Sequence, residues 1–452
     1  MSSATKKPNV LMFIPHDLGD YLHCYGHEDV KSENLDALSQ QGVQFTGYFT
    51  VAPECCASRS SMYTGQYPYQ NGMVGLCFLG WKLNNPKQHL ANRMREGGYE
   101  THLFGTQHET RGPVEELGYT HHTSGRNVST VCDDVVEFLG KPRDDDSPWF
   151  LNVGFQEVHR PWPQHTTFNP DEIQLPPYLP DTPEVREDYS YFYQNILDMD
   201  QAIGKVLNEL DRLGLRDDTL VIFTTDHGSP FPRAKATFYD PGIQIPLIMS
   251  HPKLERGKPM PALCSVLDFT PTVLDFCGLP TDEDNMEGRS MLPLLMGEAD
   301  RLHTEIFGAM FYDVSYDPLY YVRTQKFKYI RSYAVDPAEA ANAEPITLTS
   351  FKAGQWIRFE DYDVMTSPTW KSMDEPCDIP CKEELYDLVN DPYELKNLCS
   401  ESAFSGELDQ MRQRLKTMMR DTGSPLPDSH IQPNEAQISG AAKYKKILGI
   451  TV

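Results

Sequence analysis

The side chains with most to offer chemically crowd into one short run, Pro53-Glu54-Cys55-Cys56-Ala57-Ser58-Arg59-Ser60-Ser61-Met62-Tyr63-Thr64-Gly65. It follows an apolar, strand-like stretch, and Ser58 to Tyr63 can open a helix. A thiol just before a helix N-terminus lies in a positive field that favours its anion. Arg59 is one helical turn beyond Cys55 and is spaced to reach back to it. Taken alone, the run also describes a buried thiol pair beside a surface arginine. Elsewhere the chain offers His16-Asp17, His108, His159 and Asp226-His227. Asp17, Asp226 and His227, with His16 beside them, are a donor set for a divalent cation, because carboxylates and imidazoles from distant segments commonly build such sites. Asp226-His227-Gly228 by itself is also a turn with a capping aspartate.

Buried strands are what can bring these groups together. Asn9 to Pro15 is a continuous apolar run, as in a strand covered on both faces, and it ends at His16-Asp17. Tyr99 to Phe104 ends at Gly105-Thr106-Gln107-His108, Trp149 to Phe155 leads into Gln156 to Pro161, and Thr219 to Thr225 ends at Asp226-His227-Gly228. Val43 to Val51 precedes the cysteine run, and Ile245 to Met249 is a further strand. Helical patterns over Glu33 to Gly42, Pro86 to Gly97, Val131 to Leu139, Tyr189 to Leu213 and Val266 to Cys277 alternate with these strands. The alternation predicts an α/β fold: a large, mostly parallel, doubly wound sheet with helices on both faces. Ligands of such sheets bind beyond the carboxyl ends of the strands. A single histidine after a strand is ordinarily a loop residue, but four polar clusters at the same edge, with Cys55 after a fifth strand, predict one shared pocket.

Near residue 315 the pattern changes. Tyr320 to Thr324 and Phe327 to Ser332 read as a hairpin, 333 to 376 lack periodicity, and Leu408 to Met419 reads as a helix before a polar tail. The expected organisation is a catalytic domain over 1–315 and a smaller C-terminal α+β domain over 316–452 that completes the substrate pocket.

Composition narrows the partners. The net charge of −25 leaves no basic face for nucleic acid, and any anion site must be local. No window approaches the ~18 consecutive apolar residues of a membrane span. Met1 to Pro8 is polar and carries no secretory pattern, so the expected location is the cytoplasm. The ten cysteines show no disulfide rhythm and are expected to be mostly free thiols, with Cys377, Cys381 and Cys399 a candidate clip.

Cys55-x-Ala57-Ser58-Arg59-x-x-x-Tyr63-Thr64-Gly65 resembles the sulfatase signature, Cys-x-Pro-Ser-Arg-x-x-x-Leu-Thr-Gly. The resemblance extends through Pro8 to Leu11 and Asp17, Trp149 to Pro161, Asp226-His227-Gly228, Lys235 with Tyr239 to Gly242, Asp268 to Thr272 and Glu384 to Leu388, in order along nearly the whole chain. It implies a hydrolase of sulfate esters or sulfamates, within the alkaline-phosphatase-like superfamily. Gly154-Phe155 and His159-Arg160-Pro161 are similar to the sulfamidase branch, which acts on N-sulfated sugars. In that family the signature cysteine is oxidised to formylglycine by a maturation enzyme, and its hydrate, held by a divalent metal, is the nucleophile. Carried onto this chain, Cys55 is that residue and Cys56 a bystander. The metal ligands are His16, Asp17, Cys55, Asp226 and His227. Arg59 steadies the hydrate, His108 is the base that releases sulfate, and His159 and Lys235 bind sulfate and assist the leaving group. Lys235 without this context would read as a solvated surface residue.

Three positions depart from the family pattern. His16 stands where the family has a carboxylate, which sets Mn2+ or Zn2+ beside the family's Ca2+ as the expected metal. Ala57 replaces a proline. Thr106 replaces a sulfate-binding lysine, leaving Thr106, Gln107 or Arg160 to compensate. The expected substrate is a small sulfated anion, with oligomeric state left open. The competing expectations are a phosphonate monoester or phosphodiester hydrolase on the same scaffold, and an inactive binding protein that keeps the fold.

Overall fold

Each central strand alternates its apolar side chains between two cores. In Asn9–Ile14, Val10, Met12 and Ile14 enter one cluster while Leu11 and Phe13 enter the other. This is the two-sided burial expected of a strand covered by helices above and below. The structure, a computed structural model, describes residues 6–142, 147–281, 285–314, 316–333, 349–352, 355–358, 361–373, 381–426 and 428–448.

The main sheet has eight strands in the order His121–His122, Glu100–Gly105, Trp149–Gly154, Asn9–Ile14, Thr219–Thr224, Leu247–Ser250, Val43–Phe45, Lys258–Met260. Neighbours pair in parallel except at Leu247–Ser250, which runs antiparallel to both of its partners. Helices Glu33–Gln41, Val128–Gly140 and Pro183–Arg212 cover one face, and Cys55–Thr64, Leu90–Glu96 and Phe269–Phe276 the other. The expected doubly wound sheet is therefore present.

A second sheet is antiparallel, in the order Glu305–Tyr312, Tyr316–Thr324, Phe327–Ser332, Glu383–Asp387. Helix Ser405–Asp421 packs on it through Met411, Leu415 and Met419. This sheet starts at Glu305, upstream of the change in sequence character, because Glu305–Tyr312 is one arm of a hairpin with Tyr316–Thr324. The two sheets are joined by a buried ion network. Asp240 accepts from Arg323 (2.9 and 3.1 Å) and Lys328 (2.7 Å), and Lys328 also meets Glu394 at 2.6 Å.

Several element bounds differ from the sequence expectation, each for a local reason. The strand expected over Val43 to Val51 is two short ones, Val43–Phe45 and Tyr48–Phe49. Between them Gly47 passes so close to the Ala262 carbonyl that a Cβ would lie 2.5 Å from it. The helix expected from Pro86 begins at Leu90, capped by the His89 ring, after a single tight turn at Pro86–Gln88. The long helix starts at Pro183, with Thr182 as its cap and proline in the first turn, so the proline-rich loop is shorter than expected. The polar tail contains an unforeseen helix, Glu435–Leu448, docked by Gln437 onto the carbonyls of Asp313 and Val314. Cys377 of the C-terminal cysteine group lies outside the described residues. No helix among the described residues is long and apolar enough to cross a membrane.

Candidate active site

The four strands that end in polar clusters are consecutive in the sheet and parallel, so their carboxyl ends coincide. The loops leaving them are laced together. His16 donates its N–H to the Glu157 carbonyl and accepts from Val158, Asp17 N donates to Asp226 Oδ1 (3.0 Å), and Gly19 donates to the His227 carbonyl. Asp17 adopts φ 55°, a left-handed conformation that costs energy for a side-chain-bearing residue. Gly228 cannot be replaced cheaply, since a Cβ there would lie 2.0 Å from the Pro241 carbonyl.

Cys55 is the first residue of helix Cys55–Thr64. Glu54 caps this helix by accepting from Cys56 N (2.9 Å) and Ala57 N (2.8 Å), and the Ser58 hydroxyl donates to the Asp226 carbonyl. The expected thiolate does not follow from this placement. Burial pushes the Cys55 thiol well above its ordinary pKa; Lys235 opposes that shift, and Asp17, Asp226 and Glu54 add to it. Nor does Arg59 turn back to Cys55. Its guanidinium donates to Asp226 Oδ2 (2.9 Å) and to the Pro15 carbonyl (3.0 Å), bracing the second strand-end turn instead.

Around Cys55 the acceptors outnumber the donors. One atom each of His16, Asp17, Cys55 and Asp226 lies within 4.8 Å of the others, and all four residues are buried. Both ring nitrogens of His16 and Oδ1 of Asp17 have no hydrogen-bond partner among the described residues. His16 Nδ1 is only 3.1 Å from Asp226 Oδ2, but not in bonding geometry. His227 sharpens the case. Its Nδ1 faces the Gly228 carbonyl at 3.0 Å, and a carbonyl only accepts, so Nδ1 carries the proton. Burial pulls the His227 pKa down, against the pull of Asp226 and Asp17, so the ring is neutral and its Nε2 is a lone pair. That lone pair accepts from the Cys55 thiol at 3.3 Å and also faces Asp17 Oδ1, another acceptor, at 3.3 Å. Facing acceptors in a buried site fit a bound cation, and a mixed imidazole–carboxylate set fits a divalent one.

On the other side of Cys55 the groups are cationic or basic. Lys235 Nζ donates to Asp17 Oδ2 (2.9 Å) and lies 3.5 Å from Asp361. Burial disfavours its charge, but Asp17 and Asp361 hold its pKa well above the usual lysine value. The same contact acts in reverse on Asp17: burial opposes ionisation, and Lys235, His159 and His227 keep the carboxyl well below its usual range. His159 points Nε2 at Asp363 (3.2 Å) and Asp17 (3.8 Å). His108 stacks obliquely on His16, ring centroids 4.4 Å apart. Burial, then His16 and Arg59, depress its pKa, leaving a neutral imidazole. His16, Cys55 and His108 form a second close donor set, so His108 is placed both as a base and as a ligand.

Cys55, His108, His159 and Lys235 open into a cavity of about 620 Å³. Of the residues expected to replace the missing lysine, Thr106 and Gln107 line it. The Thr106 hydroxyl is buried without a hydrogen-bond partner among the described residues, whereas Gln107 is committed to its own turn, bonding the backbone of Glu109 and Thr110. Arg160 is not in the wall. It makes a bidentate pair with Asp188 (2.8 and 2.7 Å) and stacks on Trp162, so its guanidinium holds the long helix to the catalytic loop.

Five further wall residues, not singled out from the sequence, bear on the site. Arg111 and Arg126, both exposed, supply local positive charge on an acidic chain, and Asp361, Asp363 and Tyr444 come from the C-terminal part. No spacing flags them.

Residues 8–279 match the family model described as Sulfatase, and 233–341 match the one described as N-sulphoglucosamine sulphohydrolase, C-terminal. The chain belongs to the sulfatase family, hydrolases of sulfate esters or sulfamates. The second match, with the human relative below, puts it in the sulfamidase-like branch. It is 29% identical to N-sulphoglucosamine sulphohydrolase of Homo sapiens, over 92% of this chain and 91% of that protein. It is 28% identical to an ulvan-active sulfatase of Formosa agariphila, over 94% of this chain and 77% of that protein. Among solved structures, one bound to D-glucosamine-2-N,6-O-disulfate superposes with a TM-score of 0.71 at 18% identity, covering 94% of this chain and 100% of the other. A phosphonate monoester hydrolase from Silicibacter pomeroyi gives 0.68 at 21%, covering 93% and 97%; both likenesses concern the fold.

Proposed function

We propose that this chain hydrolyses the sulfamate of an N-sulfated amino sugar, with a formylglycine hydrate made from Cys55 as nucleophile. The observation that carries the mechanism is the convergence of the His227 lone pair, Asp17 Oδ1, His16 and Asp226 on the Cys55 side chain. The sugar sulfamate reading is supported by the length of the match to the human sulphohydrolase. A maturation enzyme would supply the oxidation of Cys55, whose raised thiol pKa leaves it a poor nucleophile as a plain cysteine.

In this reading His16, Asp17, Asp226 and His227 hold the divalent cation. When bound, that cation acts as a Lewis acid that neutralises charge on the nucleophile and on the sulfuryl oxygens. The two imidazoles among its donors favour Mn2+ or Zn2+ over Ca2+. Lys235 and His159 line the cavity beside Cys55, where they meet the sulfuryl group and stabilise charge as it develops. His159 is placed to hand a proton to the leaving amine. His108, kept neutral by burial and by the nearby Arg59, takes the proton from the second hydroxyl of the hydrate as sulfate leaves. Arg59 acts by fixing Asp226. Asp361 and Asp363, acceptors in the cavity wall beside Lys235 and His159, meet the hydroxyls of the sugar.

The test has two parts. Mass spectrometry of the Cys55 peptide, from a host with the maturation machinery, is expected to show the lighter aldehyde form. Turnover is expected on N-sulfoglucosamine and aryl sulfate and to be weaker on phenylphosphonate esters. A preference for phosphonate would replace this reading with phosphonate hydrolysis. An unmodified cysteine with no turnover would leave a binding protein.

A further inference from the structure

A second group of metal-ligating side chains lies at the far edge of the main sheet, and the catalytic cavity does not include it. Glu100 and His102 are two residues apart on Glu100–Gly105, so they share a face. His121, on the edge strand His121–His122, is the register partner of His102. The two imidazoles stack with centroids 4.6 Å apart at 19°. Both turn Nε2 toward the same carboxylate oxygen, Glu100 Oε1, at 3.0 and 3.3 Å. The three donor atoms all lie within 4.8 Å of one another. Phe138 packs against the His102 ring at 4.5 Å and fixes it, while the His121 side chain is 59% exposed and leaves an approach from solvent. Beside the pair is a cavity of about 240 Å³ that Asp134 and Glu137 of the covering helix also line.

We propose that Glu100, His102 and His121 form a second metal site, selective for a borderline transition-metal cation such as Zn2+. Two imidazoles and one carboxylate match zinc, copper or nickel and do not match calcium or magnesium, which take oxygen donors. A rotation of the exposed His121 ring closes the donor set. The bound ion ties a two-residue edge strand to the body of the sheet, which guards an otherwise weakly held edge.

The experiment uses the full chain, stripped with chelator and dialysed against low-micromolar Zn2+, with bound metal counted by elemental analysis. His121→Asn, an exposed change remote from the catalytic groups, is expected to bind one equivalent less than the parent and to keep its aryl sulfatase rate. Against an Asp226→Ala background, Zn2+ is expected to raise the melting temperature, and His121→Asn is expected to remove that rise. Equal metal content in parent and His121→Asn, or a zinc-induced rise that survives the substitution, overturns the proposal.

Discussion

Two buried charge clusters in this molecule contain nearly the same ingredients and do opposite things. Around Asp240, two carboxylates face two cations, and every contact joins unlike charges at 2.6 to 3.1 Å. Around Cys55, two aspartates also face two cations, Arg59 and Lys235, yet among the described residues the His16 ring and one oxygen of Asp17 have no hydrogen-bond partner and the His227 lone pair meets a carboxylate. Net charge does not separate them; which groups face which does. A network in which each charge faces its opposite can only hold elements in place, whereas one that turns imidazole and carboxylate acceptors toward each other is arranged for something that is brought to it.

The largest expected effect tests the open cluster. Cys55→Ala should lower turnover by at least about a thousandfold while leaving the melting curve unchanged, because the side chain supplies the nucleophile and no structural bond. Cys56→Ala should keep most of the activity, since its sulfur only accepts from Cys77 N at 3.2 Å. Parallel activity assays and thermal melts decide this, and the reverse pattern would show that the nucleophile had been placed one residue off. The closed cluster should answer in the other currency. Lys328→Met strips Asp240 and Glu394 of a shared cation in a fully buried position and should cost about 3–5 kcal/mol of stability, with turnover per folded molecule intact. Urea unfolding together with active-site titration measures both; a selective loss of turnover would erase the distinction between the clusters.

The same contrast explains what could be read from the sequence. The strand-end groups His16, Asp17, His108, His159, Asp226 and His227 were legible, because parallel strands bring their carboxyl ends to one edge whatever their order in the chain. Cys55 was legible from its neighbours. The direction of Arg59 was not: helical spacing permits it to reach Cys55, and only the tertiary position of Asp226 decides otherwise. The thiolate expectation failed for a related reason, since local helix geometry says nothing about how much water a site loses. Arg160 misled because a cation beside a catalytic histidine looks available until its partner, Asp188 on a distant helix, is known. Two of the four strands of the antiparallel sheet were visible as a hairpin, but the Glu435–Leu448 helix carries a weak pattern and owes its place to the Gln437 contacts.

A third buried group, the neutral imidazole of His89, tests whether burial alone makes a site. Its Nδ1 accepts from Ala91 N at 3.2 Å and caps helix Leu90–Glu96, and burial pulls its pKa down to about 3. The folded state therefore resists a proton that the unfolded state takes up near its ordinary pKa of about 6.5. Stability from this group is complete above that value and is lost as pH falls toward the folded value. Going from about pH 6 to about pH 4 should cost roughly 2–3 kcal/mol through this residue. His89→Asn keeps a cap acceptor and removes the titration. The stability difference between parent and variant should shift in the variant's favour by that amount over the interval, and a difference independent of pH would contradict the assignment.

The smallest expected effect lies at the seam of the open cluster, where the cavity wall meets the catalytic groups. Asp363 touches His159 at 3.2 Å and lines the cavity, so it has two ways to matter. If it meets the sugar, Asp363→Asn should weaken kcat/KM for N-sulfoglucosamine by about tenfold, mostly in KM, with an aryl sulfate much less affected because it presents no hydroxyls to lose. If it acts only by orienting His159, both substrates should lose equally, and the loss should fall on kcat because it reaches the leaving group. The two-substrate comparison separates these without a structure of the complex. An equal loss would move Asp363 from the substrate side of the cluster to its supporting side, leaving Asp361 and the rim arginines to account for sugar recognition.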